Sequence, residues 1–385
     1  MYDDLSKIPY YDIDPKTLNN IWRWLLWRQG VAADNKNDSV YDIAHKSLGL
    51  HAARLPSPFA TVMARSSSDS TSKNLLDITA SPDLMTIRCM RKTLHTLPVE
   101  LATVAHGATR HFRERDALRY AFNLNVDYKT LNKVILTIIS LLETKVSASH
   151  RELEMMLCGN TITTHQVRAA LKVAWEKGTL VYRNSSGAWD KEKRTFALST
   201  VVHPTFDPDA DRKSSTNMLV HHYFDRYGPA TIKDAMWWSG LSRSAITEAI
   251  LLGNDRWVRL GSPWSDSPLY MLKKNLELFE REFSGNHFIL NFLAHEDVAL
   301  KAYFETRKRY LGNLIDRYIF NQIGEVLPSI IHDGKIVGKW SWNKKTMRIE
   351  SDLFDYFDKS LDYSVIRQLE DRYAAQLKDS TARPI

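Results

Sequence analysis

Cysteine is almost missing from this 385-residue chain. Cys89 and Cys158 stand far apart, with neither a CxxC pair nor Cys/His ligand spacing around them. That scarcity argues against a disulfide framework and against a zinc module. Long apolar runs are missing too. No segment is long enough to span a bilayer, and Met1-Tyr2-Asp3-Asp4 opens acidic, without the apolar stretch of a secretion signal. The expected location is the cytoplasm. Charge of one sign is only weakly in excess, with 52 Lys+Arg against 45 Asp+Glu and a net charge of +7. Such a surplus permits a polyanionic partner without requiring one. His203 and the pair His221-His222 lack metal-ligand spacing, and no metal or cofactor is expected.

What is present is a packed globular chain, with 44% hydrophobic and 11% aromatic residues. Its length points to several modules. Helix dominates the first three quarters. Ile21–Gln29 is apolar and aromatic on one face, with Trp22, Trp24 and Trp27 expected in the core, and Leu131–Leu142 is a strongly apolar helix. Ser66–Ser72 reads as a polar loop.

Two segments then repeat one plan. Ser149 to Glu152 has the capping-box pattern, Thr164–Lys177 is a second helix ended by Gly178, and Leu180–Arg183 leads into Arg194–Leu198 as a β-wing. Asp207–Ser215 reads as a linker. Beyond it, Asn217–Tyr227, Ile232–Trp238 and Ser242–Leu252 are helices, and Trp257–Leu260 pairs with Leu269–Leu272 as another wing. Helix-turn-helix plus wing is a docking unit for duplex DNA, although many such units mediate only protein contacts. After Phe283 the texture turns to strands, with a hairpin about Asp333-Gly334 within Ile330–Trp340, and a helical tail follows Phe354.

Two polar clusters pinned against apolar neighbours stand out: Gly49-Leu50-His51-Ala52-Ala53-Arg54-Leu55-Pro56-Ser57-Pro58 and Arg88-Cys89-Met90-Arg91-Lys92-Thr93-Leu94-His95. Gly228-Pro229-Ala230-Thr231 through Leu241, Leu293-Ala294-His295-Glu296-Asp297 and Ile323–Ile330 follow in order. The ordered set resembles the AlkZ/YcaQ superfamily of winged-helix DNA glycosylases, with a further likeness to a phage-defence branch acting on glucosylated hydroxymethylcytosine. The resemblance implies an α+β chain, mainly helical, with three tandem winged helices and a small C-terminal β-domain. The expected units are 1–125, carrying the catalytic motif, then 126–206, 213–275, the β-domain 280–350, and a helical tail 351–385. It further implies a monomer that binds double-stranded DNA and hydrolyses the N-glycosidic bond of a modified base.

The family's Gln-x-Gln or Gln-x-Asp motif is altered here. His51 stands at the first catalytic place and Ala53 at the second, leaving Arg54 as the nearest polar side chain for the vacated role. A structural histidine in a degenerate site is the competing reading of His51. A cationic N-alkylpurine leaves readily, whereas a neutral pyrimidine benefits from protonation. Imidazole titrates near neutral pH, so His51 favours a neutral, bulky base such as glucosylated hydroxymethylcytosine. The alternatives are a repair glycosylase for bulky N-alkylated or crosslinked purines and a non-catalytic winged-helix regulator. No lysine lies within Gly49–Pro58 to form a Schiff base, which favours a monofunctional enzyme, with Lys92 the nearest candidate elsewhere. Arg88 and Arg91 are candidates for clamping phosphates beside a flipped nucleotide, His95 for lining the pocket, and Arg183 and Arg259 for phosphate contact from the wings. Glu296 and Asp297 are candidate carboxylates.

Overall fold

Helices begin where the sequence supplies side-chain caps. Asp14 accepts from the amides of Lys16 and Thr17 at 2.9 and 3.0 Å, and Pro15 opens the helix Pro15–Arg28. Asp127 starts Tyr128–Lys145, which contains the apolar run read as Leu131–Leu142. Ser149 and Glu152 form the expected capping box, and Thr163 with Gln166 forms another at the head of Thr164–Glu176. These features belong to a computed structural model that describes residues 5–37, 39–67, 78, 81–159, 161–186, 188–253, 256–283, 285, 287–354 and 363–381. Of the polar run Ser66–Ser72, only Ser66 and Ser67 fall within the described residues.

Twelve strands in the described residues form four sheets. They are β1 (Tyr10–Tyr11), β2 (Leu50–His51), β3 (Leu84–Arg88), β4 (Leu94–Pro98), β5 (Leu180–Asn184), β6 (Arg194–Leu198), β7 (Trp257–Leu260), β8 (Leu269–Leu272), β9 (Leu290–Leu293), β10 (Ser329–His332), β11 (Lys335–Asn343) and β12 (Arg348–Leu353). Their orders are β2-β4-β3, β5-β6, β1-β7-β8 and β12-β11-β10-β9. The two hairpins expected from sequence form: Leu180 pairs with Leu198, and Trp257 with Leu272. The Asp333-Gly334 turn closes the β10–β11 hairpin, with His332 opposite Lys335.

One expectation needs correction. The run read as the linker Asp207–Ser215 ends in helix: Arg212–Tyr227 starts inside it, capped by Asp211, which accepts from the Ser214 amide at 2.7 Å. Its first turn is exposed and polar, which hid the helix from a hydrophobicity reading. The tail helix runs Tyr363–Thr381, and residues 355–362 of the expected tail lie outside the described residues.

Packing also joins what sequence texture divides. One hydrophobic cluster runs from Ile8 through Ala108, takes in residues of the Arg212–Glu282 region, and ends in the C-terminal sheet and helix at Leu377. A second holds Ala117 to Leu198. The helix Val99–Asn123 contributes to both. Trp22 and Trp24 are fully buried in the first cluster, and the Trp22 indole N–H donates to the Gly334 carbonyl at 2.8 Å. The C-terminal sheet is fastened to the N-terminal part by buried polar contacts. The Asn291 amide reaches the carbonyls of Val31 and Ala64, each at 2.7 Å, and Arg65 grips Asp297 through two bonds of 2.9 and 2.7 Å.

Candidate active site around His51

The altered motif lies on a short strand at a crowded junction. Gly49 has φ +95°, and a Cβ there would sit 2.8 Å from the Leu97 side chain, so glycine is required twice over. Leu50 and His51 then pair with Thr96 and His95. The Ala52 amide donates to the Leu94 carbonyl at 2.8 Å, after which the chain turns at Arg54 into the helix Ser57–Arg65. His51 is therefore held by a strand at one side and a helix start at the other, and it is 2% exposed.

The C-terminal landmarks converge on this imidazole. Lys301, at the end of the short helix Val298–Lys301, places Nζ 2.6 Å from His51 Nε2 and also donates to the Glu296 carboxylate. Glu296 Oε2 lies 4.0 Å from His51 Nε2. The other oxygen accepts from the Val326 amide at 2.8 Å, and the Glu296 amide donates back to the Val326 carbonyl at 2.9 Å. Glu296 holds φ +56°, an uncommon backbone conformation for a non-glycine residue and one found at over-determined positions. Beside it, His295 Nε2 is 3.5 Å from Glu325, whose carboxylate also accepts from Arg54 at 2.6 Å and Asn321 at 2.8 Å. Arg91 closes the group. It has φ 51°, places Cζ 3.6 Å from the centroid of the Trp237 ring, and makes no hydrogen bond or ion pair with a described residue. Trp237 in turn stacks on Phe304, 4.6 Å away.

Burial sets the charge states. It pushes the His51 imidazole well below its ordinary range, and the neighbouring Lys301, His95, His295 and Arg91 push the same way. His95 falls to about 3, first through burial and then through Lys301. Burial also lowers Lys301, opposed by the Glu296 carboxylate. Burial raises the Glu325 carboxyl, but the bonds from Arg54 and Asn321 outweigh it and leave the group below its ordinary value. The site thus presents imidazoles held toward their neutral form, Lys301 bonded to Glu296, a Glu325 held toward its anion, and the Arg91 guanidinium. It can position water and stabilise positive charge; it has no imidazolium to donate a proton.

The residues singled out from sequence divide sharply. His51, Glu296, Arg54 and Arg91 come together. His95 touches His51 edge-on at 5.2 Å, but its Nδ1 is engaged by the Thr93 carbonyl at 3.1 Å, so it is a core histidine supporting the strand. Asp297 points away from the site into the Arg65 pair, and both side chains have 0% exposure. Arg88, a candidate phosphate clamp, is engaged within the protein: it bonds the Lys92 carbonyl at 2.9 Å and Glu176 at 3.2 Å. Arg259 does not project from its wing either, because its guanidinium reaches back to the carbonyls of Ser6 and Ile8 at 2.7 and 2.9 Å. Lys92 is paired with Asp116. Ala53 is exposed in the turn after β2. Arg183 lines a cavity of about 310 Å³ with Ala52, Leu55, Phe59, Thr96 and Tyr182, and none of His51, Glu296, Lys301, Glu325 and Arg91 borders it.

Sequence reading missed Lys301 and gave Glu325, His295 and Trp237 no role. The last three lie in the motif set quoted above. Lys301 had no such signal, since nothing in local spacing ties it to a histidine 250 residues earlier. Among the described residues no cluster of His, Cys, Asp and Glu is arranged to hold a metal, and no helix is long and apolar enough to cross a membrane.

Comparison with known proteins agrees with the resemblance in the motifs. The family model described as "DNA glycosylase AlkZ-like" matches residues 46–370. Among solved structures, Streptomyces sahachiroi DNA glycosylase AlkZ is similar in fold, with a TM-score of 0.74 and 16% identity, over 96% of this chain and 98% of that one. No curated protein matches in sequence.

Proposed function

The chain belongs to the AlkZ-like DNA glycosylase family and is a DNA glycosylase, and we propose that it hydrolyses the N-glycosidic bond of a bulky N-alkylated purine, a base that leaves without being protonated. The observation carrying this reading is His51 itself, buried against the Lys301 amine at 2.6 Å. An imidazole so placed stays neutral and offers hydrogen bonds, not acid catalysis. That removes the reason for preferring glucosylated hydroxymethylcytosine, a neutral base that needs help to leave. A cationic purine already carries the charge that makes it leave.

In this reading the base is taken out of the stack to be reached. Bond breaking develops positive charge on the sugar, which the carboxylates of Glu296 and Glu325 stabilise electrostatically. His51 positions the attacking water. Arg91, placed over the Trp237 ring with its N–H groups unpaired, takes a phosphate beside the extruded nucleotide. The hairpins β5–β6 and β7–β8, with their helices, are read as winged-helix modules facing duplex DNA, the latter without Arg259. The enzyme acts as a cytoplasmic monomer, and without a Schiff base.

The test is base release measured side by side on duplexes carrying bulky N-alkylpurines and on glucosylated hydroxymethylcytosine DNA, with alkali revealing abasic sites. Release from alkylated DNA, at a rate flat between about pH 5.5 and 8 around the reference imidazole pKa, is expected. Release from glucosylated DNA alone, rising toward acid, would restore the phage-defence reading.

A further inference from the structure

Paired with Glu296, Lys301 is an ammonium, which has donors and no acceptor, so the 2.6 Å contact between its Nζ and His51 Nε2 fixes the sense of the bond: Nε2 accepts. A neutral imidazole accepting at Nε2 carries its proton on Nδ1. His51 Nδ1 is buried and meets no hydrogen-bond partner in the structure. Lys301 is itself fixed, since Glu296 holds the amine and Val326 holds Glu296 from both its amide and its carbonyl.

We propose that Lys301 is a positioning residue for the glycosylase reaction: held by Glu296, it donates to His51 Nε2 and so makes Nδ1–H the group that His51 offers to the attacking water or the sugar. The inference rests on the site proposed above and adds the tautomer and its cause. Every charged or titratable group facing His51 enters it. Lys301 and Glu296 come from the segment before β10, His295 from the same segment, His95 from β4, and Arg91 from the turn between β3 and β4. Removing the Lys301 charge leaves the Glu296 carboxylate 4.0 Å from Nε2 with no competing cation between them, which favours the imidazolium.

The direct test is nitrogen NMR of isotope-labelled histidine in the full-length protein, with the His51 signal identified by its loss in His51→Gln. The expected result is a protonated Nδ1 and an accepting Nε2 that do not titrate between about pH 5 and 8, around the reference value. In Lys301→Met the same signal should titrate within that range. Base release should become pH-dependent, with kcat falling on the order of 10²- to 10⁴-fold, as when the group fixing a catalytic imidazole's tautomer is lost. KM should change little, and Lys301→Arg should restore part of the rate. If Lys301→Met does not fold, the nitrogen spectrum of the parent protein decides alone, since it reads the tautomer directly. An Nε2–H tautomer in the parent protein, or a Lys301→Met enzyme with parental rate and flat pH profile, overturns the proposal. Parental base release by His51→Ala would instead overturn the site itself, so the two failures are distinguishable.

Discussion

His51, His95 and His106 are all buried, and burial is the largest cause holding each below the ordinary imidazole range. The folded protein keeps them neutral while the unfolded chain takes up protons below about pH 6.5. The unfolded state then binds more protons, so stability is fully present above that pH and is lost as pH falls through the window below it. The unfolding free energy is expected to drop between pH 7 and 5.5, by up to about 1.4 kcal/mol per pH unit for each histidine; an unchanged value would show that these imidazoles are protonated in the fold. Two arginine pairs make a second contrast at this scale. Asp297→Asn leaves Arg65 charged and unpaired in the core, and should cost about 3–5 kcal/mol. Arg54→Ala removes a half-exposed pair with Glu325, and should cost within about 1 kcal/mol. Denaturant titration of the two variants checks both values. That His51 and Glu296 lie near one another is a structural finding, but both could be picked out in sequence because they sit in motifs. The placement of Asp297 was not legible: its neighbour Glu296 turns at φ +56°, and Asp297 faces Arg65 instead. No sequence pattern reports such a turn.

Helices and wings were largely readable because their signals are local. Caps lie within three residues of the helix they start, and the Asp333-Gly334 turn sits between the strands it joins. The strand bearing His51 was not legible: two residues long, it exists through pairing with β4, more than forty positions later. The same limit applies to Asp234. Its role in the Thr231–Asp234 capping box is a sequence feature. Its second role is not, since the carboxylate also accepts from the amides of Phe304, Glu305 and Thr306 and from the Thr306 hydroxyl. Thr231→Ala should therefore cost about 1 kcal/mol, the loss of a cap. Asp234→Ala leaves several buried donors unsatisfied and should cost about 3 kcal/mol or more. Equal losses in the two variants would mean that Asp234 does nothing beyond capping.

At the scale of the whole molecule, one core ties the N-terminal motif to the C-terminal sheet, and the site forms where they meet. Texture along the chain suggested separable modules because it changes at Phe283; the buried contacts of Asn291, Asp297 and Lys301 reach back across that change. Arginines follow the same division between surface and interior. Arg91→Ala should weaken DNA binding and reduce its salt dependence between about 50 and 200 mM. Arg259→Ala should leave binding near parental, since its guanidinium holds the N-terminal segment. Filter binding across that salt range separates them. The central claim is that a neutral, lysine-held His51 is where the glycosylase reaction is organised. Single-turnover base release from a duplex with a bulky N-alkylpurine, by the parent and by His51→Ala with DNA affinity measured in parallel, tests it most directly. Release should collapse while affinity and folding stay close to parental. Release by His51→Ala at the parental rate would contradict the account.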